Sequence, residues 1–131
     1  MTEDQIAIAR DCHAAAAENR LAFPDILGRL GAAGFEGYLV DYRSGSARYY
    51  LTSGAGTDCA GPAQQVAPGF DAAALIAAIR DAQAQAPGYT YAAFSARAAA
   101  AGCAGYLVSL PGRRVLYFAR SGETHVEHFP A

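Results

Sequence analysis

The sequence predicts an α+β fold, an antiparallel sheet of about five strands with helices packed on one face, built from an internally duplicated α-α-β-β unit. Three observations predict it. The first is repetition. Ala32-Ala33-Gly34-Phe35-Glu36-Gly37-Tyr38-Leu39-Val40 returns as Ala100-Ala101-Gly102-Cys103-Ala104-Gly105-Tyr106-Leu107-Val108, an offset of 68 residues (102 − 34). The same offset pairs Tyr49 with Tyr117, Ser53-Gly54 with Ser121-Gly122 and Arg29 with Arg97, and sets Phe23 against Tyr91. The second is a pair of segments in which aromatic and β-branched residues flank a short Gly-containing loop, the pattern of a β-hairpin. The third is a set of helix start and stop signals ahead of each hairpin.

Thr2 followed by Gln5 has capping-box spacing, so a first helix starts there and runs to about Asn19. Phe23-Pro24 opens a second, since proline is tolerated in the first turn. Ile26, Leu27, Leu30 and Ala33 give it a buried stripe, and Gly34 is the expected stop. Residues 37–43 and 47–52, joined by Ser44-Gly45-Ser46, form the first hairpin. Tyr38, Val40 and Tyr42 fall on one face, Leu39 and Asp41 on the other.

From Ser53 to Gly69 the composition shifts to Gly, Ala, Pro, Gln and Thr, which reads as a surface connection. Asp71 caps a third helix, ended by Pro87-Gly88. Thr90 caps a fourth, with Gly102 as its stop. The second hairpin spans 105–110 and 114–119, turning at Pro111-Gly112, and the tail from Glu123 to Phe129 alternates enough to add a fifth strand. The whole is one domain: copy one at about 2–54, a connection at 55–69, copy two at about 70–129. Each copy alone is too short to hold a core. The crevice where the copies meet is the natural place for a site.

Composition narrows the function. A net charge of −2 gives no basic field for nucleic acid. No apolar run reaches membrane-spanning length. The start carries Glu3 and Asp4 and lacks the basic, apolar pattern of a signal peptide. Cys12, Cys59 and Cys103 are odd in number and form no C-x-x-C pair, which suits neither a disulfide framework nor a cysteine zinc site. The expectation is a soluble, reduced, cytoplasmic protein. Arg113-Arg114 is a basic pair beside a turn, without the Gly-rich cradle of a phosphate site.

The run Thr124-His125-Val126-Glu127-His128-Phe129 holds two imidazoles and a carboxylate, which can serve as metal ligands or as an acid and a base near neutral pH. His125, Glu127 and His128 are therefore the candidate catalytic residues, and His125 and His128 the candidate ligands of a divalent metal. On a strand the two histidines point to opposite faces, and only a bent end brings them together. His125 and Glu127 share a face and suit a carboxylate–histidine pair. A polar terminal strand is the plainer explanation. His13 beside Cys12 reads as a partly buried helix histidine, because neighbouring helix residues diverge by about 100°. Cys103 answers to Phe35, which favours a core role.

Tyrosines repeated in both copies hold the fold; function is sought where the copies differ. Asp41 answers to Ser109, Tyr42 to Leu110 and Arg48 to Leu116. With Tyr50, these make Asp41, Tyr42 and Arg48 the candidate ligand-binding set. No G-x-S-x-G elbow, Walker A or G-x-G-x-x-G sequence occurs.

The words Gly102-Cys103-Ala104-Gly105-Tyr106-Leu107-Val108, Gly112-Arg113-Arg114-Val115-Leu116-Tyr117-Phe118 and Gly122-Glu123-Thr124-His125-Val126-Glu127-His128-Phe129-Pro130 resemble the YbcV-like family of small bacterial and prophage proteins. So do Phe23-Pro24, Tyr38 to Tyr42 and Tyr49-Tyr50. The resemblance implies a class without a mechanism, and it makes the His125–His128 run a feature of that class. Some members carry the label "phage envelope protein", which is no sign of a role.

Two readings follow. One is a non-catalytic module that binds a small molecule or a partner protein on its tyrosines or in the crevice. The other is a metal-dependent or acid–base enzyme using the terminal His/Glu cluster. A structural phage component is a third, without particular support. Neither nucleic acid nor membrane is an expected partner, and a homodimer is compatible with the sequence. Convergence of the named side chains in one pocket discriminates the first two.

Overall fold

A computed structural model describes residues 1–130. The element order is α1 (Glu3–Ala17), α2 (Phe23–Ala32), β1 (Phe35–Asp41), β2 (Ser46–Leu51), β3 (Gly56–Ala60), α3 (Ala72–Gln83), α4 (Tyr91–Ala100), β4 (Cys103–Ser109), β5 (Arg114–Ala119) and β6 (Thr124–His128). The fold is α+β, as the sequence predicts. The sheet has six strands rather than five, all antiparallel, in the order β3-β2-β1-β4-β5-β6. The additional strand is β3, which lies inside the stretch read as a surface connection. It pairs along β2 from Ser46↔Ala60 to Tyr50↔Gly56, and Cys59 alone in it is buried. Backbone pairing, not apolar side chains, makes it a strand.

The helix starts follow their caps. Thr2 Oγ1 accepts from Gln5 N at 3.1 Å while Thr2 N donates to Gln5 Oε1 at 2.9 Å, the reciprocal capping box. Asp71 accepts from Ala74 N and Thr90 from Ala93 N, both at 3.0 Å. α1 stops two residues short of Asn19, and α3 ends at Gln83, well before Pro87-Gly88; Asn19 and Gln85 then adopt positive φ (58° and 47°), which turns the chain away.

Element bounds recur at the offset of 68: α2 with α4, β1 with β4 (103 − 35), β2 with β5 and β3 with β6. The two halves meet at β1 and β4, where Leu39 stands opposite Leu107, with Tyr38↔Val108 and Val40↔Tyr106 on either side. Each half's sequence word is explained there. Gly34 (φ 96°) and Gly102 (φ 88°) close the helices in the left-handed region. Gly37 and Gly105 let the two strands approach: a Cβ at Gly37 would lie 2.0 Å from the Val108 carbonyl oxygen, and one at Gly105 would lie 2.2 Å from that of Val40. The register shifts at the same place in both hairpins, between Phe35 and Gly37 and between Cys103 and Gly105.

Alternation sorts the sheet's faces. Tyr38, Val40, Ala47, Tyr49, Tyr106, Val108, Val115 and Tyr117 are buried, while Leu39 and Leu107 are 36% and 41% exposed. The helices cover the first face: α2 packs on β1, α4 on β4 and α1 on β3. α3 reaches β6 through its side chains. No helix among the described residues is long and apolar enough to cross a membrane.

Candidate functional site

A crevice of about 1290 Å³ lies between the helices and the covered face of the sheet. Its floor is a tyrosine ladder that crosses four strands, β2, β1, β4 and β5, and the ladder runs on to His125 of β6. Tyr49 stacks on Tyr38 with centroids 4.8 Å apart; Tyr38 meets Tyr106 at 6.2 Å, Tyr106 meets Tyr117 at 5.6 Å, and Tyr117 meets His125 at 6.4 Å. Tyr42 stands edge-on to Tyr106 at 5.9 Å. Phe23 and Tyr89, 40% and 37% exposed, line the outer part.

The polar groups of the crevice include a cluster of hydroxyls beside charged and amide side chains. The Tyr91 and Tyr106 hydroxyls are hydrogen-bonded at 2.7 Å. Tyr42 and Ser95 line the same space with their hydroxyl oxygens fully buried; neither makes a hydrogen bond within 3.5 Å, but they lie near enough to each other and to Tyr91 to offset part of the rise in the phenols. Burial pushes Tyr38, Tyr42 and Tyr106 well above the usual tyrosine range. Tyr91 is raised by the same cause, partly offset by the hydroxyls of Tyr106, Ser95 and Tyr42. These phenols are neutral at physiological pH. On the β3 side, His13 Nε2 donates to the Ala60 carbonyl at 3.1 Å, because a carbonyl only accepts. In the neutral ring Nδ1 then accepts from the Tyr49 hydroxyl at 3.3 Å. His13 is a half-buried helix histidine with both nitrogens engaged.

The terminal run behaves as strand periodicity dictates. His125 and Glu127 share the covered face, and His125 Nε2 donates to Glu127 Oε2 at 2.5 Å. The carboxylate also accepts from Arg80 at 2.5 and 3.4 Å and from Gln83 at 3.2 Å. Burial opposes its charge, but these three donors outweigh burial and hold the Glu127 carboxyl below the usual range. Glu127 thus latches α3 to β6, with its oxygens occupied. His128 pairs with Arg114, and Glu127 with the buried Val115, so alternation puts His128 on the opposite face, although at the end of the strand it still borders the crevice. β6 is continuous through His128, and the strand does not bend to unite the histidines. Among the described residues no three His, Cys, Asp or Glu side chains converge as metal ligands.

The ligand-binding set divides. Tyr42 is in the crevice. Asp41 touches its rim, but its carboxylate serves the hairpin turn, accepting from Arg43 N at 2.9 Å. Arg48 and Tyr50 flank the buried Tyr49 and therefore point to the open face, where Arg48 pairs with Asp58 at 2.7 Å and lies over the Tyr50 ring at 5.5 Å. Ser95, Tyr91 and Tyr106 enter the site unannounced. The offset holds a signal for the first two: Tyr91 stands where copy one has Phe23, and Ser95 where it has Leu27.

The cysteines are free and buried. Burial raises Cys103 to about 11, so its thiol is protonated at neutral pH and packs as the sequence suggests.

A comparison of the chain with protein-family models and with curated proteins finds no match. The reading of the crevice rests on its own chemistry.

Proposed function

We propose that this protein is a non-catalytic binding module that holds a small molecule in the crevice between its two halves. The observation that carries this reading is the crevice itself, about 1290 Å³ in volume and floored by the tyrosine ladder. A large, mostly apolar concavity with a few polar groups is the usual form of a ligand site. The enzyme alternative has less behind it: Glu127 and His128 both line the crevice, but Glu127 is engaged by His125, Arg80 and Gln83, and strand alternation puts the two histidines on opposite faces of β6. The resemblance to the YbcV-like family supports a class and adds no activity.

The test uses the neutral fluorescent probe N-phenyl-1-naphthylamine. The expected result is saturable binding of one probe per chain, weakened by Ala92→Trp at the crevice and unchanged by Leu39→Asn on the open face. Binding lost with Leu39→Asn and kept with Ala92→Trp would move the site to the other face. Absence of saturable binding would end the proposal.

A further inference from the structure

We infer that the open face of the sheet is an interface with a second copy of this chain, the two sheets packed face to face about a two-fold axis that runs across the strands.

The strand register builds this face. Asp58, Arg48, Leu39, Leu107, Leu116 and Val126 stand opposite one another in turn, in one row from β3 to β6. Leu39 and Leu107, at its middle, are 36% and 41% exposed on the side away from the helices. Two residues along the strands, and so on the same face, Arg114 pairs with His128 at one end of the β5–β6 hairpin and Phe118 with Thr124 at the other.

The offset of 68 sets Leu116 against Arg48, Val126 against Asp58 and Phe118 against Tyr50. The first half meets solvent at the row with an ion pair, Arg48 to Asp58 at 2.7 Å, where the second half has Leu116 and Val126. The architecture therefore does not require apolar residues there. Leu39, Leu107, Leu116, Val126 and Phe118 form a contiguous apolar patch with polar groups around it, the mark of an interaction surface.

Self-complementarity identifies the occupant. An axis across the strands lays the central row on its own copy, leucine on leucine, and turns one end of each hairpin over the other. Arg114 then comes over Phe118 of the second copy, and His128 over Thr124. Among the described residues the Arg114 side chain bonds only to the Gly112 carbonyl, which leaves its guanidinium for an aromatic face. The two Arg48–Asp58 pairs meet at the rim, with two charges of each sign. An axis along the strands fits worse. Centred on β5, it sets Arg114 on Arg114 and leaves β1 to β3 bare. Centred on the seam between the halves, it presses Leu116 and Val126 against Arg48 and Asp58.

Size agrees with a second copy held reversibly. Strands about 4.8 Å apart and about 17–24 Å long give six strands an open face of roughly 400–600 Å². Two copies would then cover about 800–1,200 Å² in total, the range of weak association.

Sedimentation velocity of the full chain, from about 5 to 500 µM, tests this. The expected result is a monomer–dimer equilibrium. Leu107→Asp and Leu39→Asn should each weaken it about tenfold or more, since each places a polar group in the apolar centre. Ala73→Asp, the same change of charge on the exposed side of α3, should leave it unchanged. Circular dichroism checks that each variant folds, and Leu39→Asn decides the matter should Leu107→Asp fail to fold. A monomer at every concentration would overturn the proposal and leave the face to a different partner. A dimer that the folded leucine variants leave intact, or that Ala73→Asp weakens equally, would also overturn it. A short bismaleimide tests the axis, since the native cysteines are buried. Leu116→Cys should cross-link to its own counterpart across the dimer, and Arg114→Cys should not. Efficient cross-linking of Arg114→Cys would overturn the axis across the strands. The crevice lies on the other face, so probe binding there stands or falls separately.

Discussion

The hydroxyls of Tyr91 on α4 and Tyr106 on β4 lie 2.7 Å apart and form the one hydrogen bond made within the crevice's hydroxyl cluster. It ties the helix that precedes the β4–β5 hairpin to a strand at the centre of the sheet. Removing one partner strands the other in a buried site. Tyr91→Phe and Tyr106→Phe should each cost about 1–3 kcal/mol, and the double variant less than the sum of the two. A double-mutant cycle on urea unfolding measures this. A coupling near zero would mean that the bond contributes nothing to the fold.

Tyr42 presents the opposite case. Its hydroxyl is buried and unpaired, so Tyr42→Phe deletes an unmet demand and keeps the ring's contact with Tyr106. The urea midpoint should rise, with a gain of about 1 kcal/mol. Ser95→Ala should act in the same direction. A fall in the midpoint would show that the hydroxyl is satisfied in solution.

The sequence made the helices, both hairpins and β6 legible because caps, hairpin loops and alternation are local signals. β3 was hidden by its composition: Gly56-Thr57-Asp58-Cys59-Ala60 looks like loop, and an edge strand with one buried side chain needs little apolar pattern. The repeat nevertheless contained it. Ser53-Gly54 and Ser121-Gly122 form the same turn, with φ of 93° and 88° at the glycines and matching 2.8 Å bonds from Leu51 N to the Ala55 carbonyl and from Ala119 N to the Glu123 carbonyl. A strand that follows one turn follows the other. Of the site, Tyr42 was legible as a difference between copies. Arg48 and Tyr50 were not separable from it by that criterion, although strand alternation around Tyr49 assigns them to the other face. Tyr91 was set against Phe23 as part of the repeat and not read as a difference, and Ser95 escaped because its counterpart Leu27 was not compared with it.

Glu127 makes stability depend on pH in a stated direction. Its carboxyl is held below the value near 4.5 that it has in an unfolded chain. A depressed folded value means that the contribution is complete above about pH 4.5 and is lost as the pH falls through the folded value. Glu127→Gln should therefore lower stability at pH 7 and narrow its gap to the wild type below pH 4. Arg80→Met should reproduce part of the loss at pH 7, since Arg80 gives two of the four hydrogen bonds to the carboxylate. Thermal unfolding across pH 3–7 reads both. Parallel curves for the wild type and Glu127→Gln would show that the latch does not contribute to stability.

The glycines on the central pair test the meeting of the two halves most directly. A methyl group at Gly37 would sit 2.0 Å from the Val108 carbonyl oxygen, and one at Gly105 would sit 2.2 Å from that of Val40. The obstacle in each case is backbone, which cannot rotate aside. Relief requires β1 and β4 to separate, and that separation breaks the only strand pairing between the halves. Gly37→Ala and Gly105→Ala should each cost about 4 kcal/mol or more, at the extreme of single substitutions. Gly28, inside α2, has nothing within 4 Å of its would-be Cβ, so Gly28→Ala should stabilise by up to about 1 kcal/mol through helix propensity. Chemical denaturation of the three variants separates the effects. If Gly37→Ala were as stable as Gly28→Ala, the close β1–β4 approach would be wrong, and with it the placement of the crevice above that seam.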